Sequence, residues 1–249
     1  MRKTLHAKPR NANLDDTQIG WAAVPEQIVL AVDVGGSHVK ALTSNQTKRR
    51  RFSSGHTLTA EQMVAGVLQV VEEWTWDVVS VGVPAPVRSG EAVAEPVNLG
   101  GGWVGFDFES AFGRPTKLVN DAVMQAVGSY EGGRMLFLGL GTGLGSAFIV
   151  DGAIEPLELG HLPFRKGTFE DYVGERGLEK RGKRKWKEAV FATVEQLTAA
   201  MEPDEVVLGG GGVDELDELP PRCRRGANEN AFLGGFRLWD PDWLDKLGP

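Results

Sequence analysis

The sequence predicts an α/β protein built as two similar lobes facing one another across a cleft. Three observations predict it. Strand-like and helix-like segments alternate along most of the chain, the pattern of a layered α/β fold. Each half holds a buried strand, a glycine-rich turn and a return strand, followed by helix and strand. Glycine is abundant, 33 of 249 residues, and clusters at strand ends without a repeating period, as in a binding site built from loops.

Residues 1–26 are polar, with scattered Arg, Lys, Asn and Asp, and are expected to form a mobile N-terminal extension. Order is expected to begin at Ile28-Val29-Leu30-Ala31-Val32, apolar on both faces and therefore a buried strand. Val39 to Thr43 returns as a second strand, and Arg51 to Ser53 ends a third. Thr59 and Gln62 have capping-box spacing, and the apolar residues from Met63 to Trp74 recur at helical intervals, predicting a helix over 60–74. Val78 to Val83 is a buried strand stopped by Pro84 and Pro86. Glu95 to Trp103 is too glycine-rich for regular structure and reads as a long loop near the cleft. A short helix over Phe106–Phe112, a strand over Thr116–Val119 and a helix over 122–129 follow. Met135–Leu140 pairs with Ser146–Val150 about the central glycine turn, and Trp186 to Met201 forms a helix with one buried stripe. Val206-Val207-Leu208 opens onto four glycines, and the last helix covers Glu229–Leu238. The expected division is a small lobe over 27–118 and a large lobe over 119–227. The C-terminal helix, about 228–240, is expected to pack back on the small lobe.

Bulk properties restrict the function. A net charge of −7 argues against a dedicated nucleic-acid binder, which needs global attraction to phosphate backbones. A single cysteine, Cys223, excludes an intrachain disulfide and any zinc site made of several cysteines, and suits a reducing cytosol. No apolar run approaches the roughly 20 residues that span a bilayer, and the N-terminus lacks a signal-peptide core. A cytoplasmic protein with no membrane partner is expected.

The chemistry concentrates in a few short segments. Asp33-Val34-Gly35-Gly36-Ser37 with Lys40, and Gly141-Thr142-Gly143-Leu144-Gly145, both read as strand–turn–strand hairpins whose exposed N–H groups can cradle phosphate. Either could also be a tight hairpin whose glycines only supply positive φ. Asp33 ends a buried strand, where an unpaired charge is expensive unless it serves a metal or water. Asn120-Asp121 lies between the two turns; a carboxylate there suggests phosphoryl transfer with Asp121 as proton acceptor. The same pair precedes a helix, a place that an ordinary N-cap also fills. Glu158-Leu159-Gly160-His161 is either a surface turn or a pair of hydrogen-bonding groups aimed at polyol hydroxyls. Arg176, Lys180, Arg181, Lys183, Arg184, Lys185 and Lys187 form a basic run in an acidic protein. It is either a solvated helix end or a track for a long polyanion, which Lys48 to Arg51 would extend.

With Val207-Leu208-Gly209-Gly210-Gly211, these segments occur in the order found in one known pattern. Over about residues 28–240 the chain resembles the ROK family of sugar kinases, and within it the bacterial polyphosphate glucokinase branch. The resemblance implies two actin-like (ribonuclease H-like) lobes with the active site between them. It implies phosphorylation of a hexose, glucose foremost, at its 6-hydroxyl, with ATP or polyphosphate as donor. Asp121 would be the general base, and Asn98, Asn120, Glu158, His161 and Glu170 would join it in holding the sugar. Glu170 falls where the family has a sugar-binding Glu ahead of a helix. Asp33 would act through Mg²⁺ and water. Gly35, Gly36, Ser37 and Lys40, with Gly141, Thr142 and Gly143, would meet the phosphates, and Gly210 and Gly211 a nucleotide. Family members are commonly dimers, so a homodimer is expected. Many members carry a cysteine-rich zinc loop; the matching interval here, Leu162 to Phe169, is short and has no Cys, so no structural zinc is expected. Residues 1–27 are too short for the DNA-binding segment of ROK repressors. A non-catalytic sugar sensor would keep the sugar residues and lose the phosphate turns or the base; an actin-like structural ATPase would not explain Asn120 or Glu158 to His161.

Overall fold

The computed structural model describes residues 27–227 and 229–244. The expected extension over 1–26 lies outside the described residues. The first part of the chain forms β1 (Val29–Val34), β2 (His38–Thr43), β3 (Arg50–Ser53), α1 (Ala60–Val70), β4 (Val78–Val83), the small hairpin β5 (Val87–Arg88) and β6 (Glu91–Ala92), α2 (Phe108–Phe112), β7 (Thr116–Asn120) and α3 (Asp121–Ser129). The second part forms β8 (Arg134–Leu140), β9 (Leu144–Val150), β10 (Ala153–Leu157), the hairpin β11 (Pro163–Phe164) and β12 (Gly167–Thr168), α4 (Phe169–Val173), α5 (Glu175–Met201), β13 (Glu205–Gly209), β14 (Cys223–Arg225), α6 (Asn230–Arg237) and α7 (Pro241–Leu244).

Two five-stranded sheets result, ordered β3-β2-β1-β4-β7 and β10-β9-β8-β13-β14. Each has two antiparallel pairings on the hairpin side and two parallel pairings beyond. The repetition anticipated from the glycine turns is therefore a repetition of whole sheets. The expected division after residue 118 falls inside β7, which stays in the first sheet through Asn120.

The period-2 alternation of strand side chains decides which layer each residue joins. In β8, Leu136, Leu138 and Leu140 face α5 residues Trp186, Val190, Val194 and Leu197, whereas Met135 and Phe137 face α3. The first sheet buries Leu30, Val32, Val79 and Val81 under α1 through Met63, Val64 and Val67. Helices α3 and α6 pack so closely that a Cβ at Gly128 would overlap the Asn230 carbonyl, and one at Gly234 would overlap the Met124 carbonyl. Helix α6 reaches the first sheet as well: the Ser80 hydroxyl donates to Gly235 O at 2.6 Å, and a Cβ at Gly235 would lie 2.7 Å from that of Ala31.

Several boundaries differ from expectation. Helix α1 stops at Val70, not 74, because Val71 leaves helical geometry (φ −111°, ψ 18°). Its Thr59–Gln62 capping box is present. Helix α2 starts at Phe108, not Phe106, since the Asp107 carboxylate caps it through Ser110 N at 2.9 Å. The helix expected from Trp186 begins at Glu175 and is broken at Gly182 (φ 75°). No described helix is long and apolar enough to cross a membrane.

The α3–α6 contact generates a stability prediction. Gly128→Ala should destabilise the protein by about 1–3 kcal/mol, the usual range for overpacking. Gly101→Ala, with nothing within 4 Å of the added Cβ, should be nearly neutral. Urea unfolding of both variants checks this; equal midpoints would mean that α3 and α6 can separate without cost.

Candidate active site

The first glycine turn links β1 to β2 and is pinned from behind. Gly35 N donates to His38 O at 3.0 Å, the Ser54 hydroxyl donates to Gly35 O at 2.6 Å, and Ser54 N donates to Ser37 O at 3.0 Å. The second turn is braced by the start of α5: Glu175 N donates to Gly141 O at 2.9 Å, and a Cβ at Gly174 would lie 2.6 Å from Thr142 O. Gly35, Gly36, Gly141 and Gly143 all lack positive φ, so conformational freedom is not why they are glycine. Gly35 is crowded by His38 O at 3.1 Å and Gly143 by the Glu170 carboxylate at 2.7 Å. A Cβ at Gly141 would meet nothing within 4 Å, and at Gly36 only Asn98 Cβ at 3.8 Å. At those two positions the fold itself makes no demand for glycine, and a bare backbone faces open space.

Asp33 stands at the end of β1, buried, with Lys40 as its register partner across β2. Lys40 Nζ lies 2.9 Å from Asp33 Oδ2, so the lysine expected on phosphate is paired with the expected metal-site carboxylate. Gly82 is paired with both Asp33 and Val119, and a Cβ on it would lie 3.4 Å from Asp121 Cα. A larger residue in the middle strand would separate the two aspartates.

Asn120 is the N-cap of α3. Its Oδ1 accepts from Ala122 N at 2.9 Å and Val123 N at 3.3 Å, while Nδ2 donates to Ala85 O at 3.1 Å. The cap function weighed from the sequence is realised, leaving one amide hydrogen of Nδ2 for a ligand. Asp121 follows as the first helical residue, half-buried, with Oδ1 accepting from Ala122 N at 2.8 Å. On the other side, a Cβ at Gly145 of β9 would lie 2.8 Å from Ala122 Cβ, so the second hairpin touches the same first turn of α3.

Burial, reinforced by the negative charges of Asp33 and Glu158, pushes the Asp121 carboxyl up to about 7. Glu158 is itself raised, by burial first and by Glu170, against a lowering pull from His161. These mutual fields link Asp33, Asp121, Glu158, His161 and Glu170 into one electrostatic neighbourhood. Glu158 precedes a single 3₁₀ turn, Leu159–His161, which packs so that a Cβ at Gly160 would be 2.9 Å from Leu144 O and 3.6 Å from Glu170 Cβ. Glu170 lies inside α4 and not ahead of it. Gly210 has φ 79° and its Cβ would overlap the Leu140 carbonyl, so backbone geometry accounts for that glycine; Gly211 opens the 3₁₀ turn Gly211–Glu215.

The structure thus links Asp33, Lys40, Asp121, Glu158, His161 and Glu170 through short contacts and shared fields beside the Asn120 cap of α3, and sets Asn98 beside Gly36 of the first turn. Sequence reasoning missed Ser54 and Gly82, which hold the site in shape, and gave Gly145 no packing role. A serine after an edge strand and a glycine inside a strand gave no chemical signal. A groove of about 1400 Å³ lies elsewhere, on the outer face of α5 beside Phe191, Glu195 and Pro220; its lining includes Lys183, Arg184 and Lys187 of the basic run but none of the residues expected to meet the sugar or to form the glycine turns.

Two repeated sheets, each opening on a glycine hairpin, define the class: a two-lobed, actin-like α/β protein. The ROK family model matches residues 29–194, and the chain belongs to the ROK family. It is 26% identical to the glucokinase of Pyrobaculum calidifontis, over 78% of this chain and 84% of that protein. It is 26% identical to the polyphosphate glucokinase of Mycobacterium tuberculosis, over 76% of this chain and 80% of that protein. The inorganic polyphosphate/ATP-glucomannokinase of Arthrobacter sp. strain KM shares the fold, with a TM-score of 0.73, 24% identity, and coverage of 83% of this chain and 96% of that one.

The raised Asp121 carboxyl makes a stability prediction. A folded-state value near 7 against an unfolded 3.8 means that folding favours the protonated form. That contribution is full below the unfolded value and is lost as pH rises through about 7. Asp121→Asn, which keeps an acceptor for Ala122 N, should therefore raise the melting temperature at pH 8 more than at pH 5. Calorimetry at both values checks it; a gain that is absent or larger at pH 5 contradicts the assigned cause.

Proposed function

We propose that this protein is a sugar kinase that transfers a phosphoryl group to the 6-hydroxyl of a hexose, glucose foremost, from polyphosphate or ATP with Mg²⁺. The observation that carries the reading is the position of Asp121. It is an N-terminal helix carboxylate raised to about 7 and linked to the surroundings of both bare glycine turns. A base whose carboxyl titrates near the working pH can accept a proton in the transition state and still ionise readily. The two sheets are taken as the two lobes, and the likeness to glucokinases and polyphosphate glucokinases supports the substrate and donor classes.

In this mechanism the sugar lies against Glu158, His161, Glu170 and Asn98, with the free Asn120 amide hydrogen as a further donor. The 6-hydroxyl oxygen attacks the terminal phosphorus, its proton passes to Asp121, and the bond from phosphorus to the remaining chain breaks. Backbone N–H groups of the turns over Gly35–Ser37 and Gly141–Gly143 stabilise the charge on the transferring group. The donor set suits Mg²⁺, a hard ion that keeps several waters and needs only one or two carboxylates beside the phosphates. Asp33 would hold it, and its role when bound is to neutralise donor charge. Lys40 sits where it can exchange its contact with Asp33 for one with phosphate.

The donor reading changes with the structure. Lys183 pairs with Glu215 at 3.1 Å and Asp217 at 3.7 Å, Lys187 with Asp217, and Arg184 with Glu188 at 2.6 Å. Arg49 meets Glu229 at 2.9 Å and Arg50 meets Glu73 at 3.8 Å. Among the described residues, Lys48, Arg51, Arg176, Lys180 and Lys185 of the candidate track make no salt bridge and Arg181 lies over the Tyr172 ring; Arg176 follows directly on Glu175, which braces Gly141.

A coupled assay crossing several hexoses with both donors tests the function. Asp121→Asn should retain sugar binding and lose at least about 10²-fold in kcat, and the parent kcat/KM should rise with pH to a plateau above about 7. Near-normal turnover in the variant would remove Asp121 from the base role. For the donor, the KM for polyphosphate should climb more steeply than that for ATP between low and high salt. Equal slopes would discard the track.

A further inference from the structure

The segment between β6 and α2 has little regular structure, yet it carries Asn98 into the site. Pro96, Leu99 and Trp103 are buried along it, while Val97 is 85% exposed. The Trp103 indole N–H donates to Gly100 O at 2.8 Å, and its ring lies 6.2 Å from that of Phe108. Gly100 N donates to Leu58 O at 3.0 Å, and a Cβ there would be 2.7 Å from Thr57 O, so the loop is seated on the chain that leads into α1.

Glu95 closes this loop. Its Oε2 accepts from Trp103 N at 3.0 Å and its Oε1 from Val104 N at 3.3 Å. An exposed carboxylate ordinarily stays in water or meets a cation; among the described residues Glu95 makes no ion pair. Both its oxygens are instead committed to backbone donors eight and nine residues ahead. Such charge-assisted bonds are roughly twice as strong as neutral ones. Inside the closed span stands Asn98, the residue next to the bare Gly36 turn.

We infer that Glu95 is a positioning residue of the sugar site, clasping the loop over residues 95–104 so that Asn98 is held beside Gly36. The inference rests on the kinase reading and deepens it. With the clasp in place, Asn98 is ordered before the sugar arrives, and affinity is not spent on ordering the loop. Without it, the tip carrying Val97 and Asn98 is held by the buried Pro96 before it and by Leu99 and Gly100 behind it, with nothing tying the two ends of the loop together.

The test is a double-mutant cycle on the full chain, with glucose binding by calorimetry and steady-state kinetics. Glu95→Ala and Asn98→Ala should each raise the glucose Kd and KM about tenfold, a loss of the size expected for preorganised contacts. In Glu95→Ala the kcat and the donor KM should stay near the parent values. The double variant should bind glucose no more weakly than Asn98→Ala alone, because Glu95 acts through Asn98. Glu95→Gln, which keeps one acceptor oxygen, should fall between parent and Glu95→Ala. Unchanged glucose affinity in Glu95→Ala would overturn the inference. So would effects that multiply in the double variant, or a lowered melting temperature with sugar and donor KM altered alike. Amide exchange at Trp103 and Val104 should speed up in Glu95→Ala, and unchanged exchange would overturn the clasp even if no hexose bound the parent protein. Absence of hexose binding by the parent, with faster exchange in the variant, would instead place the failure in the kinase reading.

Discussion

A carboxylate held at the start of a helix with no room to move is the constraint on which the rest of this structure depends. Helix α3 lies against Gly82 and Gly235 through Met124, against Gly145 through Ala122, and against α6 at Gly128. Each contact is made at a glycine; at Gly128 and Gly145 the neighbours are the Asn230 carbonyl and the Ala122 Cβ, so a methyl group there would push the helix and carry Asp121 with it, whereas at Gly82 and Gly235 the end of the Met124 side chain can give way. The apolar face of α3, Ala122, Val123, Ala126 and Val127, is buried on the second sheet. This packing keeps in place a group that burial and neighbouring charge both disfavour in its ionised form. The cost is local, and the hydrophobic contacts that offset it run along the whole helix.

Around that point the charges are arranged with a consistent sign. Asp33, Asp121, Glu158 and Glu170 converge, with Lys40 and His161 as the nearby cationic or ionisable nitrogens. Under the proposed function, a site of this kind would attract a divalent cation, and its bare turns would supply N–H groups to the anion that the cation accompanies. Away from the site, Lys183, Arg184 and Lys187 of the basic run on α5 are matched by Glu188, Glu215 and Asp217, so that part of its charge is consumed locally. The break at Gly182 separates that paired stretch from Arg176, Lys180 and Arg181, on the segment whose start braces the second hairpin.

The parts legible in the sequence were those set by local rules. Uninterrupted apolar runs became β1 and β4, the capping box fixed the start of α1, and paired β-branched stretches around glycine became the two hairpins. Asn120 was legible as a residue type that suits either a cap or a ligand; only its bonds to Ala122, Val123 and Ala85 decide how much of it is already used. Of the two readings open for the turn glycines, the supply of positive φ does not hold, since Gly35, Gly36, Gly141 and Gly143 all lack it. Strand β14 and the hairpin of β11 and β12 left no periodic pattern, being too short to repeat. Glu95 looked like one more surface acid, because its partners lie far ahead in the chain and are backbone groups, which sequence does not distinguish.

By itself, then, the sequence determined the α/β class, the doubled strand–turn–strand plan and the small set of polar residues worth suspecting, because each follows from the spacing of neighbours along the chain. Tertiary structure alone decided that Asp121 meets the fields of Asp33 and Glu158, that Lys40 pairs with Asp33, and that a loop clasp sets Asn98 beside Gly36. Those outcomes depend on strand register and on how closely backbones approach at Gly82, Gly145 and Gly160, distances across the fold that no local pattern encodes.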